Sequence, residues 1–427
     1  MRVLIVSFYF PPYSAVGAVR TGKTAKFLTE FGHDVRVLTA AEQDTPHRTL
    51  PVELHADAVD YTHWMSVRAP IDFVVGKGRV TGWGGSEDAA GARPSLSHRL
   101  LRGVKALAYF PDVNVGWLPF AVTAGLRRIR DWRPDVIYAS ASPYTALCVA
   151  MLLSRASGIP WVAELRDLWT DNHAYSHPTW RRRVDRYLEG VVLRSASAVI
   201  TVSPPLAETL TARHTRPVHV VTNGFDPADY GAPDLTTTHD AETLRIVHTG
   251  HVYGERQSAA PLFDAMQRLG ADGKRVRVVL YGSPAPSLER EAQRFGMADQ
   301  IECDGPVPYS ASLRAQASAD ILLSLLWNDP RQPGIYTTKL FEYLGARRPI
   351  LAVGHTAGNG AATLIREQQA GIATNDPEQI ATFLQTQLRS KREHGIIPEL
   401  PSSVGLGYSR EEQTRVLERV LLHVVRQ

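Results

Sequence analysis

Eight residues near the amino terminus, Gly17-Ala18-Val19-Arg20-Thr21-Gly22-Lys23-Thr24, satisfy the pattern G-x-x-x-x-G-K-[ST]. Backbone amides and the lysine of such a segment cradle nucleotide phosphates while the threonine reaches Mg²⁺, so a P-loop NTPase or kinase is one reading. Its setting argues against that chemistry. The first glycine of such a loop directly follows its strand, whereas residues 11–16 intervene here and Pro11 and Pro12 offer no amide donors. The one acidic candidate for a metal partner at a strand end, Asp329, is separated from its apolar run by Trp327-Asn328. The plainer alternative makes Lys23 a solvated helix residue. A single Gly17 also fails G-x-G-x-x-G, which speaks against a dinucleotide-dependent dehydrogenase. The sequence contains no H-E-x-x-H, cysteine cluster or Asp-x-Asp, so no metal is expected. Farther along, Arg181, Arg182, Arg183, Arg186 and Arg194 are interleaved with Tyr187, Leu188, Val191 and Leu193. Such a helix suits anionic lipid head groups, and equally a solvated face over a packed core.

The elements that must hold these residues alternate. Residues 3–8 and 35–39 are apolar runs flanking a helical spacing over 21–31 that Gly32 stops, which predicts a β-α-β unit. Runs at 135–139, 161–165 and 198–202, with a helix over 144–157, continue the rhythm, and Ser203-Pro204 marks another helix start. Unalternating apolar runs fit strands buried on both faces of a parallel sheet. Residues 225–242, rich in Asp, Pro, Thr and Gly, suit a linker, after which short apolar runs at 245–249, 276–281, 301–303, 321–325 and 350–353 alternate with helical spacing. The expected fold is α/β, two doubly wound Rossmann-like domains: residues 1–224, a linker over 225–243, residues 244–408, and a last helix in 409–427 that either ends the second domain or crosses back to the first. Residues 81–94 read as an excursion.

Length and composition agree. The 427 residues exceed one ordinary core, and 44% hydrophobic with 21% charged residues excludes disordered and collagen-like classes. A net charge of +4 suits a phosphate-bearing ligand and an acidic membrane surface equally and gives little support for nucleic acid. Two cysteines, Cys148 and Cys303, in opposite halves give no disulfide framework, and no apolar stretch approaches the roughly 18 residues of a membrane span. A cytoplasmic protein is expected.

The chain resembles the retaining glycosyltransferases of the glycosyltransferase 4 family, which have the GT-B fold. The resemblance is carried by the apolar start with Pro11-Pro12, Gly17 and Arg20, by Gly32-His33-Asp34-Val35-Arg36-Val37-Leu38-Thr39, and by Glu164-Leu165-Arg166-Asp167-Leu168-Trp169. It continues through Thr201-Val202-Ser203, Thr222-Asn223-Gly224-Phe225-Asp226, Lys339-Leu340-Phe341-Glu342-Tyr343-Leu344-Gly345 and Arg348-Pro349-Ile350-Leu351. It spans nearly the whole chain apart from roughly 45–107 and the tail after 374.

The resemblance implies a nucleotide-diphosphate sugar held mainly by the second domain, an acceptor held mainly by the first, and retention through a short-lived ion pair without metal or other cofactor. The acceptor is expected to be a glycan, a lipid-linked intermediate or a small natural product, and peripheral contact with the inner face of a membrane fits the second of these. Glu342 would accept hydrogen bonds from the ribose diol, and the amides of Tyr336, Thr337 and Thr338 would meet the diphosphate. Arg256 and then Lys339 would offset the leaving charge. Gly17 would let the first loop approach the donor phosphates, and Gly250, Gly282 and Val307 lie where members hold the nucleotide with backbone groups. Two departures stand out. Gly334 occupies the place of the first of two family glutamates. Arg166-Asp167 replaces His-Asp, so Arg166 would bind donor phosphate or an anionic acceptor, or pair with Glu164 or Asp167. Trp117, Tyr144, Trp169 and Trp180 are candidate sugar-stacking rings or core. Alternatives to transfer are the P-loop enzyme, a non-catalytic sugar-nucleotide-binding protein and a sugar-nucleotide epimerase.

Overall fold

The computed structural model describes residues 1–43, 48–67, 109–172, 175, 177–231, 240–327 and 336–427. The excursion at 81–94, Asp329 and Gly334 lie outside these. The chain divides into two compact units, Met1–Thr222 with Thr414–Gln427, and Asn223–Gln413.

The first unit runs β1 (Arg2–Val6), α1 (Val16–Glu30), β2 (Asp34–Ala40), β3 (Val59–Thr62), α2 (Leu118–Trp132), β4 (Val136–Ala141), α3 (Thr145–Ser157), β5 (Trp161–Leu165), α4 (Thr179–Ser195), β6 (Ala198–Thr201), α5 (Pro204–His214) and β7 (Val218–Val220). Its seven strands form one parallel sheet in the order β3-β2-β1-β4-β5-β6-β7. The apolar runs have the residue types such a sheet needs, since β4 and β5 are buried at every position. Strand order reverses direction between β1 and β4, and open α/β sheets bind ligands beyond the carboxyl ends of strands at such a point.

The second unit runs β8 (Leu244–Thr249), α6 (Ala260–Arg268), β9 (Val276–Tyr281), α7 (Pro286–Arg294), β10 (Ile301–Gly305), α8 (Tyr309–Ala317), β11 (Ile321–Leu325), α9 (Thr338–Ala346), β12 (Ile350–Val353), α10 (Gly360–Glu367), β13 (Gly371–Ala373) and α11 (Pro377–His394). Its parallel order is β10-β9-β8-β11-β12-β13, with the reversal between β8 and β11. The last helix, α12 (Arg410–Val425), begins in the second unit and continues into the first. There Leu417, Val420, Leu421 and Val424 join the cluster containing Val3, Ile5 and Tyr138.

Helix α1 corrects the P-loop reading. It starts at Val16, five residues before the apolar spacing suggests, so Gly17 to Thr24 are all helical and no phosphate-cradling loop exists there. Burial of Ala18, Thr21, Ala25 and Leu28 along one face outweighs the roughly 1 kcal/mol that each of Gly17 and Gly22 loses relative to alanine in a helix. Lys23 is not solvated either: it is buried, with Nζ 2.8 Å from a Glu53 carboxylate oxygen.

Arg20, on the same helix, is buried and donates to Glu164 at 2.6 Å and to the carbonyls of Val221 and Thr222 at 2.9 and 2.7 Å. Ser140 completes the shell by donating to Glu164 at 2.6 Å. Burial opposes the Glu164 charge, but Arg20 and the hydroxyl outweigh it and hold the carboxyl below its ordinary range. The stability gained is therefore present above the unfolded pKa and is lost as pH falls through the folded one. Arg20→Met leaves Glu164 buried without its cation, and the expected cost is about 3–5 kcal/mol in urea unfolding at pH 7, shrinking in acid. A cost below about 1 kcal/mol at pH 7 would show the pair to be dispensable.

Candidate functional site

In the second unit, the expected residues converge at the carboxyl ends of β8 and β11. His248, the fifth residue of β8, is fully buried, and its Nδ1 lies 2.9 Å from the Leu323 carbonyl of β11. That bond puts the proton on Nδ1, so Nε2 is an acceptor, and Lys339 of α9 places Nζ 3.2 Å from it. Burial first, then the neighbouring Lys339 charge, drives the imidazole well below its usual pKa and keeps it neutral. Burial also lowers Lys339 to about 8, partly offset by Glu342.

The backbone above this pair is tightly fitted. A Cβ on Gly250 would come 3.3 Å from Lys339 Nζ. Gly282, with φ +146°, faces the Gly250 carbonyl so closely that its own Cβ would sit 2.2 Å from that oxygen. Only glycine fits there.

Glu342 lies one turn beyond Lys339 on α9 and is 9% exposed. Its Oε2 accepts from Gln316 Nε2 of α8 at 3.1 Å, while Oε1 has no hydrogen-bond partner among the described residues. The Tyr230 hydroxyl donates to its backbone carbonyl at 2.5 Å, so the side chain does not anchor the helix. Burial raises the carboxyl pKa, and Gln316, Arg410 and Lys339 offset part of that. Gln316 also donates to Thr249 Oγ1 at 3.1 Å, and its own Oε1 is buried without a partner.

Thr337 is the extended N-cap of α9 and Thr338 its first residue, so the amides of Thr337 and Thr338 have no carbonyl of their own helix to meet, whereas that of Leu340 donates to the Thr337 carbonyl at 3.1 Å. Thr337 lines a depression with Ser324, Leu325, Leu326, Trp327, Asn359 and Ala361. Tyr336 packs edge-on against Phe341 at 6.2 Å, with its hydroxyl end over Gly360. Arg256, exposed on the turn Gly254–Arg256, lies 5.4 Å from the Trp327 ring, whose other neighbour is Tyr253. Val307 is set apart from this group: it follows β10, the edge strand, two strands out from β8.

In the first unit, Arg166 and Asp167 follow β5, both half-buried. Arg166 does not pair with Glu164, whose partner is Arg20. Its Nε donates to the Ala141 carbonyl at 3.0 Å and Nη2 to that of Ser142 at 2.5 Å. After burial, the Asp167 charge is the next cause that holds the Tyr144 phenol well above its normal pKa. The space over Gly17 is taken by the Arg166 guanidinium, since a Cβ would come 2.1 Å from Nη1. Sequence reasoning assigned that space to a phosphate; the close approach is to an arginine.

Trp117, Tyr144 and Trp169 are core, the last two stacked at 4.6 Å, whereas Trp180 is 42% exposed. On α4, Arg181 is buried against Asp185 at 2.8 Å, while Arg182, Arg183, Arg186 and Arg194 are exposed beside Val184 and Tyr187. Among the described residues no helix is long and apolar enough to cross a membrane.

His248, Gln316 and Arg20 escaped selection as site residues. His248 sits in an apolar run like any core position, and Gln316 in a helix without pattern. Arg20 carried a signal, a lone arginine among the small residues opening α1.

Residues 17–224 match the family described as "Glycosyl transferase 4-like domain". Residues 243–390 match "Glycosyl transferases group 1". No curated protein matches the chain in sequence. Among solved structures, HepE of Anabaena in complex with UDP and glucose aligns at TM-score 0.59 and 14% identity over 99% of this chain and 98% of that one. Sucrose-phosphate synthase of Thermosynechococcus elongatus aligns at 0.59 and 14% over 100% and 98%. A UDP-N-acetylglucosamine 2-epimerase aligns at 0.52 and 15% over 100% and 97%. At these identities the likeness is one of fold: two parallel-sheet Rossmann-like domains.

Proposed function

We infer that this chain, a glycosyltransferase by the two family domains it carries, takes a nucleotide-diphosphate sugar on its second unit and transfers the sugar, with retention, to a hydroxyl of a glycan, lipid-linked intermediate or small natural product. The observation that carries the reading is the cluster at the β8/β11 switch point, where a half-buried lysine and a carboxylate with one open oxygen stand on consecutive turns of α9. A diphosphate and a ribose diol are the ligand parts whose chemistry matches these two groups. In this reading Lys339, Arg256 and the amides of Tyr336, Thr337 and Thr338 offset the charge of the departing nucleotide, so a metal is not required. Glu342 takes the ribose. Gly250 and Gly282 supply backbone contacts, and Arg166 and Asp167 belong to the acceptor-side unit. The UDP bound to HepE supports a nucleotide-sugar donor. The exposed aromatic and arginine face of α4 favours a lipid-linked acceptor at the inner face of a membrane over a freely diffusing one.

Thermal denaturation with UDP, GDP, ADP and dTDP sugars tests this. One base series should stabilise the protein, by about 2.7 kcal/mol at a hundred times Kd, equally with and without Mg²⁺. No stabilisation by any of the four would overturn the reading. The epimerase likeness motivates one more check, because an epimerase would convert the stabilising sugar nucleotide with no acceptor present.

A further inference from the structure

We propose that the guanidinium of Arg166 is the centre of an oxyanion subsite in the first unit, taking a phosphate or carboxylate group of a substrate. The side chain is fixed before any ligand arrives: Nε and Nη2 are spent on the carbonyls of Ala141 and Ser142, at the carboxyl end of β4. These bonds fix the plane of the guanidinium and leave Nη1 without a hydrogen-bond partner among the described residues. A planar fork held in this way loses little rotamer freedom on binding an oxyanion.

What the guanidinium lacks is a counter-charge. Among the described residues no carboxylate lies within ion-pair distance of it, although acidic residues flank it on both sides in β5 and the following turn. Glu164 is committed to Arg20 and Ser140. Burial consequently lowers the Arg166 pKa, with Glu164 and Asp167 restoring only part.

The position of the side chain sharpens the point. Its terminal nitrogens lie over Gly17, in the first turn of the fifteen-residue helix α1, where the helix presents the positive end of its dipole. That turn has no acidic residue and no side-chain cap. A cation set against a positive helix end, with no anion from the protein, is an arrangement that a bound oxyanion would stabilise. The place is also the β1/β4 switch point, where this sheet would take a ligand.

The subsite itself does not depend on the donor reading. The oxyanion is that of an anionic acceptor, because the proposed function places the donor diphosphate on the second unit and the acceptor on the first. Titration of inorganic phosphate and pyrophosphate into the full chain by calorimetry tests it, using Arg166→Gln, Arg166→Lys and Gly17→Ala. Binding should weaken at least tenfold in Arg166→Gln and in Gly17→Ala, whose added Cβ occupies the guanidinium's place, and less in Arg166→Lys. Unfolding midpoints identify any variant that fails to fold. Wild-type protein that binds neither anion, or folded Arg166→Gln that binds both as tightly as wild type, would overturn the proposal. A UDP titration of the same variants separates the sources. Unchanged UDP affinity assigns the oxyanion to the acceptor, and a tenfold loss of UDP affinity alongside phosphate would overturn that assignment. Should the donor reading fail instead, no nucleotide sugar binds while the phosphate result stands.

Discussion

Glu342→Ala is expected to lower kcat/KM for the nucleotide-sugar donor about a hundredfold while leaving the unfolding midpoint nearly unchanged. Hydrogen bonds to a charged group contribute about 1.5–3 kcal/mol each, and about 2.8 kcal/mol corresponds to a factor of a hundred. One carboxylate oxygen has no partner among the described residues, so two ribose hydroxyls could share the group without displacing Gln316 from the other. Stability is spared because the neighbouring tyrosine is bonded to the backbone of residue 342, and because burial already works against the charged carboxyl. Glu342→Gln should fall between, since it keeps one acceptor and loses the charge. Initial rates at subsaturating donor decide the matter, and a change under threefold in the alanine variant would remove Glu342 from the binding of ribose.

Lys339→Met should cost more in kcat, about 10² to 10³, because a fixed cation matters most where charge develops as the leaving group departs. Its pH signature is the sharper test. With a pKa of about 8 in the free protein, the ammonium is complete below that value and is lost as pH rises through it. Donor kcat/KM should therefore fall above about pH 8, while kcat should break at higher pH because a bound diphosphate favours the protonated form. Lys339→Arg should flatten the fall, guanidinium staying charged throughout. A kcat/KM profile that is level to pH 9.5 in the wild type would sink this assignment.

The contrast between what the sequence displayed and what it hid has a physical basis. Strands such as Trp161–Leu165, Val276–Tyr281 and Ile350–Val353 were legible to the residue, because burial on both faces selects runs of mainly apolar side chains. Edge strands Val59–Thr62 and Gly371–Ala373 were not, since one flank is open and the runs are short and mixed. Helix α2 was equally obscure: its buried stripe is only Ala121, Gly125 and Ile129. At the candidate site, Lys339 and Glu342 were visible through an ordered set of short blocks. His248 was not, because the bond to the Leu323 carbonyl joins residues 75 apart in sequence, and periodicity carries no such information. The glycine motif could not be dismissed from its letters alone for a related reason. The same letters describe a loop or a helix start, and burial of the intervening side chains decides between them.

Helix α12 has a consequence for how the molecule is made. The side chains that seal one face of the amino-terminal sheet leave the ribosome only after every strand of the other unit. A nascent chain released at residue 222 would leave Val3, Ile5 and Tyr138 under an open seam, so the core of the first unit closes only once the strands of the second have been made.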